Sequence, residues 1–587
     1  MSTWKLDQFY TNETDWNNDL EQFKSTITTL ASFKGKLGNF DSFLNYMKTE
    51  EETSKLFYRL YGYASLASDL NLKDVKLASM KQQIMILANQ LSQATSWANP
   101  EIITLGKDKI FDFLSQDDFL KTYTFVFEKL FMQQKHVLSE EQENILANFG
   151  PTGSIPSNLY QALSIIDAKD ETIVLDNGEN LLVTPSTYRS LITNAKTAND
   201  RRKIFEAVFK RYETNKTSYA ATYNLVLQQR AATYKSRNYQ SSLDAALFGN
   251  NIPESVYRNL VDVAYENTAA IKKYIQLRKE FLNLDEYHTY DRFLHLAKDD
   301  RKFDYKTSLK LFFDSIKGLD SEFVKKQKEA LEDGYVDVLP RDGKRTGGYS
   351  MSLYGYHPHI LLNHDNTLDA VFTLAHEAGH SAHSLFSNEN QPMPISRYTI
   401  FVAEIASTFN EHILLDHLLQ EVKTKEQKIN LLQTAIDGIM GTFFRQTLFA
   451  TYELKANELV SEGKPINAEV LSNIMIHLYD HYYGLDITKE QGKQYIWAYI
   501  PHLFSTPFYV YQYATSYSAS LKIYENIKSG KKDAFENYKK MLKSGGSDFP
   551  VNQAKLAGAD LTNKETFMAV INRFENLVDE LEKTLKE

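Results

Sequence analysis

Thr367-Leu368-Asp369-Ala370-Val371-Phe372-Thr373-Leu374-Ala375-His376-Glu377-Ala378-Gly379-His380 opens on a hydroxyl residue and carries apolar side chains at three- and four-residue spacing, which predicts a capped helix. It contains the pattern H-E-x-x-H. Positions i and i+4 of a helix lie about 40° apart around its axis, so His376 and His380 leave from one face and can converge on a single tetrahedral ion. Glu377 stands beside the pair, where it can reach a water at the open metal position and take its proton. Chance predicts only about 0.02 such patterns in a chain of this composition, so coincidence is a weak rival. Two unliganded imidazoles beside Leu368, Val371, Phe372 and Ala375 would also be costly.

Such a site needs a third ligand. In the metzincin pattern a Gly and then a His follow at fixed offsets, but those offsets hold His383 and Phe386 here. The alternative is a carboxylate from a following helix. Phe401-Val402-Ala403-Glu404-Ile405-Ala406-Ser407-Thr408-Phe409-Asn410-Glu411 places two acids seven residues apart on one face of an otherwise apolar helix. Glu404 is the candidate ligand, and Glu411 could accept the free N–H of a ligand histidine and fix its tautomer. His383 shares the histidine face but lies too far along to join the ligands, and is expected to be a core histidine.

The rest of the composition narrows the chemistry. No cysteine occurs among the 587 residues, which excludes disulfides, thiolate ligands and a cysteine nucleophile together. A net charge of −9 without a basic stripe argues against nucleic acid. Met1-Ser2-Thr3-Trp4-Lys5-Leu6-Asp7 lacks the pattern of a signal peptide and no apolar run approaches the ~20 residues of a membrane span, so no membrane partner and a cytoplasmic location are expected. The 36 Tyr and 35 Phe are expected to build a large helical core with Tyr at its margins.

Along the chain, residues 14–148 read as successive amphipathic helices. Thr172-Ile173-Val174-Leu175 and Leu181-Leu182-Val183 flank Asp176-Asn177-Gly178-Glu179-Asn180, a hairpin signal because Asn-Gly tolerates the positive φ of a tight turn. Helical patterns resume from about 186. Tyr335-Val336-Asp337-Val338-Leu339 and His359-Ile360-Leu361-Leu362 are strand-like, separated by a glycine-containing stretch, and predict a small sheet just before the H-E-x-x-H helix. Pro358 suits an edge for the second of these strands. Beside the metal such an edge could pair with a peptide backbone, with Gly347 and Gly348 allowing close approach. His357, His359 and His364 are expected to be surface or strand histidines. The length implies at least two lobes, divided here as an N-terminal helical lobe, 1–200, with its hairpin near 172–183, and a catalytic segment, 201–587.

Taken in order, Gly347-Gly348-Tyr349, Tyr354-Gly355-Tyr356, Ile360-Leu361-Leu362-Asn363, Leu374 to His383 and Phe401-Val402-Ala403-Glu404 resemble the oligoendopeptidase F branch of the thimet oligopeptidase-like M3 zinc peptidases. Phe248 to Pro253, Ile500-Pro501-His502 and Phe508 to Thr515 look like further family segments. The resemblance implies a mainly α, two-lobed helical metallopeptidase with a small β-sheet beside the zinc helix and a deep central channel that admits short, unfolded peptides. It implies one Zn2+ per chain on His376, His380 and Glu404, with Glu377 as catalytic base. By the same carry-over His502 and a tyrosine among 509 to 513 stabilise the oxyanion; Tyr509 is favoured and Tyr513, one turn on, is the reserve. A phenol stays protonated at neutral pH and can donate to a developing negative oxygen. The expected activity is a zinc-dependent endopeptidase acting on oligopeptides in intracellular turnover. Its rivals are a carboxypeptidase-type exopeptidase, a silent peptide-binding scaffold, and a structural zinc site; four protein ligands, often with Cys, would mark the last. Mn or Co could replace zinc in vitro.

Overall fold

A computed structural model describes residues 4–298 and 300–587; Met1, Ser2 and Thr3, part of the stretch read above for a leader, lie outside the described residues. The chain forms two compact units interleaved in sequence. One comprises Met1–Lys135, Arg301–Leu418 and Ile523–Ala559, and the other His136–Asp300, Leu419–Lys522 and Asp560–Glu587. Helix dominates both, as the sequence periodicity predicts.

In the first unit the helices Glu13–Ala31, Phe40–Leu70 and Val75–Thr95 start at Asn12, Asn39 and Asp74, whose side chains accept the N–H groups that an opening turn leaves unbonded. Their apolar faces meet in a core of Trp16, Leu20, Phe23, Leu60 and Ile84. Leu361 of the sheet belongs to the same cluster. Trp4 ties the N-terminal segment down by donating its indole N–H to Ile360 O at 2.9 Å.

With the hairpin strands of the second unit as β1 (Glu171–Val174) and β2 (Asn180–Val183), the sheet of the first unit consists of β3 (Val336–Asp337), β4 (Tyr349–Met351) and β5 (His359–Leu361). Its order is β3-β5-β4, parallel between β3 and β5 and antiparallel between β5 and β4. The expected edge is therefore misplaced: β5 is central and fully buried, and the glycine-containing stretch supplies the edge strand β4. Pro358 precedes β5 and so withholds no N–H from its ladder. Lys344 locks the loop to the sheet. Its completely buried ammonium lies 2.5 Å from Asp337 and donates to Leu339 O at 2.8 Å and to Leu362 O.

Helices α1 (Leu368–Asn390) and α2 (Ile400–Gln420) follow, joined by a short turn that contains Pro392 and Pro394. Thr367 caps α1 by accepting the Ala370 N–H at 3.2 Å. Among the described residues the three histidines before α1 belong to no group placed to share a metal ion; His359 stands in β5, as the strand reading expects, whereas His364 is a buried residue outside the strands. His359 and His364 are buried; His364 Nε2 lies 3.0 Å from Ser308 Oγ, and His357 stacks on Tyr335 at 3.7 Å.

In the second unit the β1–β2 hairpin turns at Asn177-Gly178, with Gly178 at φ +86° and the Gly178 N–H donating to Leu175 O. Long helices carry the core, among them α3 (Arg445–Ser461) and α4 (Ala468–Tyr483). Tyrosine is not confined to the margins. Tyr219, Tyr223, Tyr257, Tyr452 and Tyr482 are all buried, and Tyr257 satisfies its hydroxyl by donating to Ala450 O at 2.8 Å.

Candidate metal centre

His376 and His380 project from one face of α1, and their Nε2 atoms stand 3.2 Å apart. Glu404, from the first turns of α2, brings Oε2 to 3.3 Å from His376 Nε2 and 3.7 Å from His380 Nε2. Donor atoms held ~2.0–2.1 Å from a tetrahedral ion are roughly 3.3 Å from each other. The three separations match that requirement, so the residues fit a cation of zinc's size and ligand preference. Among the described residues the group that can share an ion consists of these three side chains, where a structural site commonly uses four. They remain 18 to 26% exposed, so solvent can reach them.

A glycine makes the convergence possible. A Cβ at Gly379 would lie 2.6 Å from Ala406 O and 2.6 Å from Ser407 Cα, which are backbone atoms of α2 that cannot yield. The absence of a side chain lets the two helices approach at the level of the ligands. One turn along the same seam the crossing is pinned by buried Asn410, which donates to Ala375 O at 2.9 Å and pairs with Gln327. Sequence reasoning missed both residues; Gly inside an apolar helix, where it costs about 1 kcal/mol relative to Ala, was the available signal.

Supporting contacts orient the donors. Glu411 Oε1 sits 2.5 Å from His376 Nδ1, which fixes the ring so that Nε2 faces the other donors. Ser407 Oγ donates to Glu404 Oε2 at 3.0 Å. Burial opposes charge on both His376 and Glu404, but their mutual contact outweighs it: His376 is held well above the usual histidine range, and Glu404 falls to about 2. Burial, helped by the neighbouring His376, lowers His380 to about 4. Glu377 is only 6% exposed, burial raises its carboxyl to about 7, and its Oε2 has no hydrogen-bond partner. A buried carboxyl oxygen without a partner next to a donor cluster is a group kept ready to exchange a proton. Gly348 flanks it closely, since a Cβ there would lie 3.4 Å from Glu377 Oε1. His383 is a core residue, as expected, 1% exposed and stacked on Tyr398 at 3.6 Å with burial lowering it to about 3, but it is not the satisfied histidine expected, since its buried Nδ1 has no hydrogen-bond partner.

The remaining sequence candidates lie in the second unit. His502, Tyr509 and Tyr513 form one ring cluster, with His502 parallel to Tyr509 at 5.6 Å and Tyr513 edge-on to both at 6.1 and 5.4 Å. Tyr511 is set apart from it, 2% exposed and packed against Tyr257 at 4.9 Å. The segment enters through Phe508 at φ +57°, a left-handed conformation that a bulky residue seldom adopts. The Phe508 N–H is tied to Glu453 Oε1 at 2.6 Å.

Residues 191–573 match the family model described as peptidase family M3, and residues 101–169 match the one described as oligopeptidase F. This chain belongs to peptidase family M3. It is 34% identical to the oligopeptidase PepF of Bacillus subtilis, over 99% of this chain and 87% of that protein. An oligoendopeptidase F homologue of Borreliella burgdorferi is 35% identical, over 99% and 98% of the two chains. Among solved structures, the oligoendopeptidase F of Enterococcus faecium superposes with a TM-score of 0.77 at 28% identity, covering 98% of this chain and 99% of that one. A candidate peptidase of Chlamydophila abortus superposes with a TM-score of 0.90 at 33% identity, covering 99% and 98%. Membership of family M3 makes the chain a metalloendopeptidase with a mainly helical fold. Among the described residues no helix is long and apolar enough to cross a membrane.

Proposed function

We propose that this M3 enzyme hydrolyses internal bonds of short, unfolded oligopeptides, using one zinc ion per chain held by His376, His380 and Glu404. The observation that carries the reading is the meeting of three donor atoms at 3.2, 3.3 and 3.7 Å beside the partnerless Oε2 of buried Glu377. A bound cation would supply Lewis acidity toward a substrate carbonyl and a water molecule. Glu377 takes a proton from that water and returns it to the leaving nitrogen, a task suited to a carboxyl poised near neutrality. Glu411 keeps His376 in the tautomer that offers Nε2. His502 and Tyr509 are assigned as donors to the oxyanion; the ring cluster with Tyr513 supports the choice over Tyr511, which is committed to the core.

Strand β4 takes over the substrate-pairing role that sequence reasoning gave to the strand at His359, because β4 is an edge strand and lies against α1. The division into a helical segment, 1–200, and a catalytic segment, 201–587, belongs to the same reading; one family match ends at residue 169 and the other begins at 191, shortly before that division. So does a role in peptide turnover in the cytoplasm without nucleic-acid or membrane partners. A chain without cysteine and with a net charge of −9 supports it.

The test is Glu377→Gln assayed on an internally quenched peptide blocked at both ends. Turnover should fall by about 10²–10⁴-fold or more while zinc content, measured by elemental analysis, stays at one per chain. Substantial turnover by this variant would remove Glu377 from the role of base. Wild-type enzyme inactive on the doubly blocked peptide but active on one with a free terminus would point to an exopeptidase.

A further inference from the structure

Strand β4 is held between two layers of the first unit, and its alternation shows how. Tyr349 and Met351, with Leu353 beyond the strand, pack against the core of the helices Glu13–Ala31, Phe40–Leu70 and Val75–Thr95. The Tyr349 hydroxyl donates to Asp69 Oδ2 at 2.8 Å, which fastens that face. Residues two apart on a strand share a face, so Gly348, Ser350 and Ser352 turn the other way, toward α1. Each of them meets it. A Cβ on Gly348 would lie 3.0 Å from Thr373 Cγ2 and 3.4 Å from Glu377 Oε1. The Ser350 and Ser381 hydroxyls share a hydrogen bond at 2.8 Å, and Asn388 donates its side-chain N–H to Ser352 Oγ at 3.2 Å. Residue numbers rise together along both segments, so strand and helix run in the same direction.

The two periods explain the match. Two strand residues advance about 6.6 Å and four helix residues about 6.0 Å. The step from Gly348 to Ser350 therefore keeps pace with the step from Glu377 to Ser381, and the serine contact sits one turn from the proposed base. Apolar packing of a strand on a helix is non-directional and sets no register. A hydroxyl pair does, because Ser381 is 0% exposed and would lose its partner if the strand slid. A serine within a helix commonly returns its hydroxyl to the carbonyl four residues back; Ser381 gives it to β4 instead. Among the described residues the far edge of β4 pairs with no other strand, and it is the edge assigned above to the substrate backbone.

We propose that Ser350 and Ser381 are positioning residues: their contact locks β4 in register with α1 and so fixes a peptide paired along the open edge at a set height beside Glu377. The inference rests on the peptidase reading above, with β4 as the pairing strand. A strand that slips still binds the peptide but holds the scissile bond away from the base, where a displacement of about 1 Å is enough to slow a reaction. On the doubly blocked, internally quenched peptide, Ser350→Ala and Ser381→Ala should each lower kcat about 3–10-fold while KM stays within about twofold, because the lost contact places the peptide rather than binds it. The double variant should be no slower than the slower single one, since both changes remove the same contact. Zinc content of one per chain and an unchanged circular dichroism spectrum separate this loss from a damaged fold. Wild-type kcat in both single variants overturns the lock, as do losses that multiply in the double variant or that fall on KM alone. Amide exchange in Glu377→Gln reads the pairing separately: saturating peptide should slow exchange over residues 349–352, and no slowing removes β4 as the pairing strand and the inference with it. If wild-type enzyme cleaves no peptide, hydrolysis fails as the reading, and exchange over the same residues in the free proteins decides the lock; faster exchange in Ser381→Ala upholds it and equal exchange overturns it.

Discussion

Glu411 does not touch the proposed ion, yet its 2.5 Å contact with His376 Nδ1 sets which nitrogen the ring presents. Glu411→Gln keeps the shape and weakens that hold, and should lower metal affinity by about 10–100-fold, read by competition with a zinc-binding dye. Glu453 acts on a different property. It is 1% exposed, and burial raises its carboxyl to about 8 although it accepts the Phe508 N–H. In an unfolded chain the same group releases its proton near 4.5. Between about pH 5 and 8 the folded state thus holds a proton that the unfolded state has lost, so stability from this group falls as pH rises and levels off above that window. The drop is on the order of a few kcal/mol. Glu453→Gln removes the titration and keeps an acceptor for Phe508, so its Tm should vary less between pH 5 and 8 than the wild-type Tm. Parallel Tm profiles for the two proteins would show that Glu453 is already ionised in the fold.

Between elements, the decisive fact is the closeness of α1 and α2 at Gly379. Gly379→Ala would raise helix propensity by about 1 kcal/mol in isolation. Here the added methyl meets backbone at 2.6 Å, so the helices must separate and carry Glu404 away from the histidines. The variant should therefore lose about 1–3 kcal/mol of stability and bind zinc more weakly, measured by denaturant melts and by metal titration. Zinc affinity equal to wild type would mean that the crossing relaxes without moving the ligands. The sheet teaches a related lesson. Strand-like runs at 335–339 and 359–362 were legible from their β-branched and apolar residues, but the third strand, Tyr349–Met351, was hidden in a stretch whose glycines read as loop. It pairs antiparallel with β5, and in the loop that leads to it Lys344 bridges Asp337 and the Leu362 carbonyl, contacts between positions with no local signature.

For the molecule as a whole, the proposed metal would be a ligand linked to folding. Removing it with a chelator should abolish peptide cleavage and lower Tm, and added zinc should restore both, because an ion that binds only the folded chain stabilises it in proportion to RT ln(1 + [L]/Kd). Cleavage that survives chelation, with metal absent by elemental analysis, would sink the proposed chemistry. Most of the candidate metal centre was legible in advance, because His376, Glu377 and His380 are bound to one another by helical period, and seven residues place Glu404 and Glu411 on one face. The tyrosines were not. Tyr509, Tyr511 and Tyr513 alternate along a segment whose composition suits both core and site, and only packing separates Tyr511, against Tyr257, from the cluster with His502. By itself the sequence determined the helical class and the composition of the candidate metal centre, because both follow from spacings within a few turns of helix. Tertiary structure alone decided which strands form the edges of the sheet and how closely α1 meets α2, because each depends on contacts between segments that no local period connects.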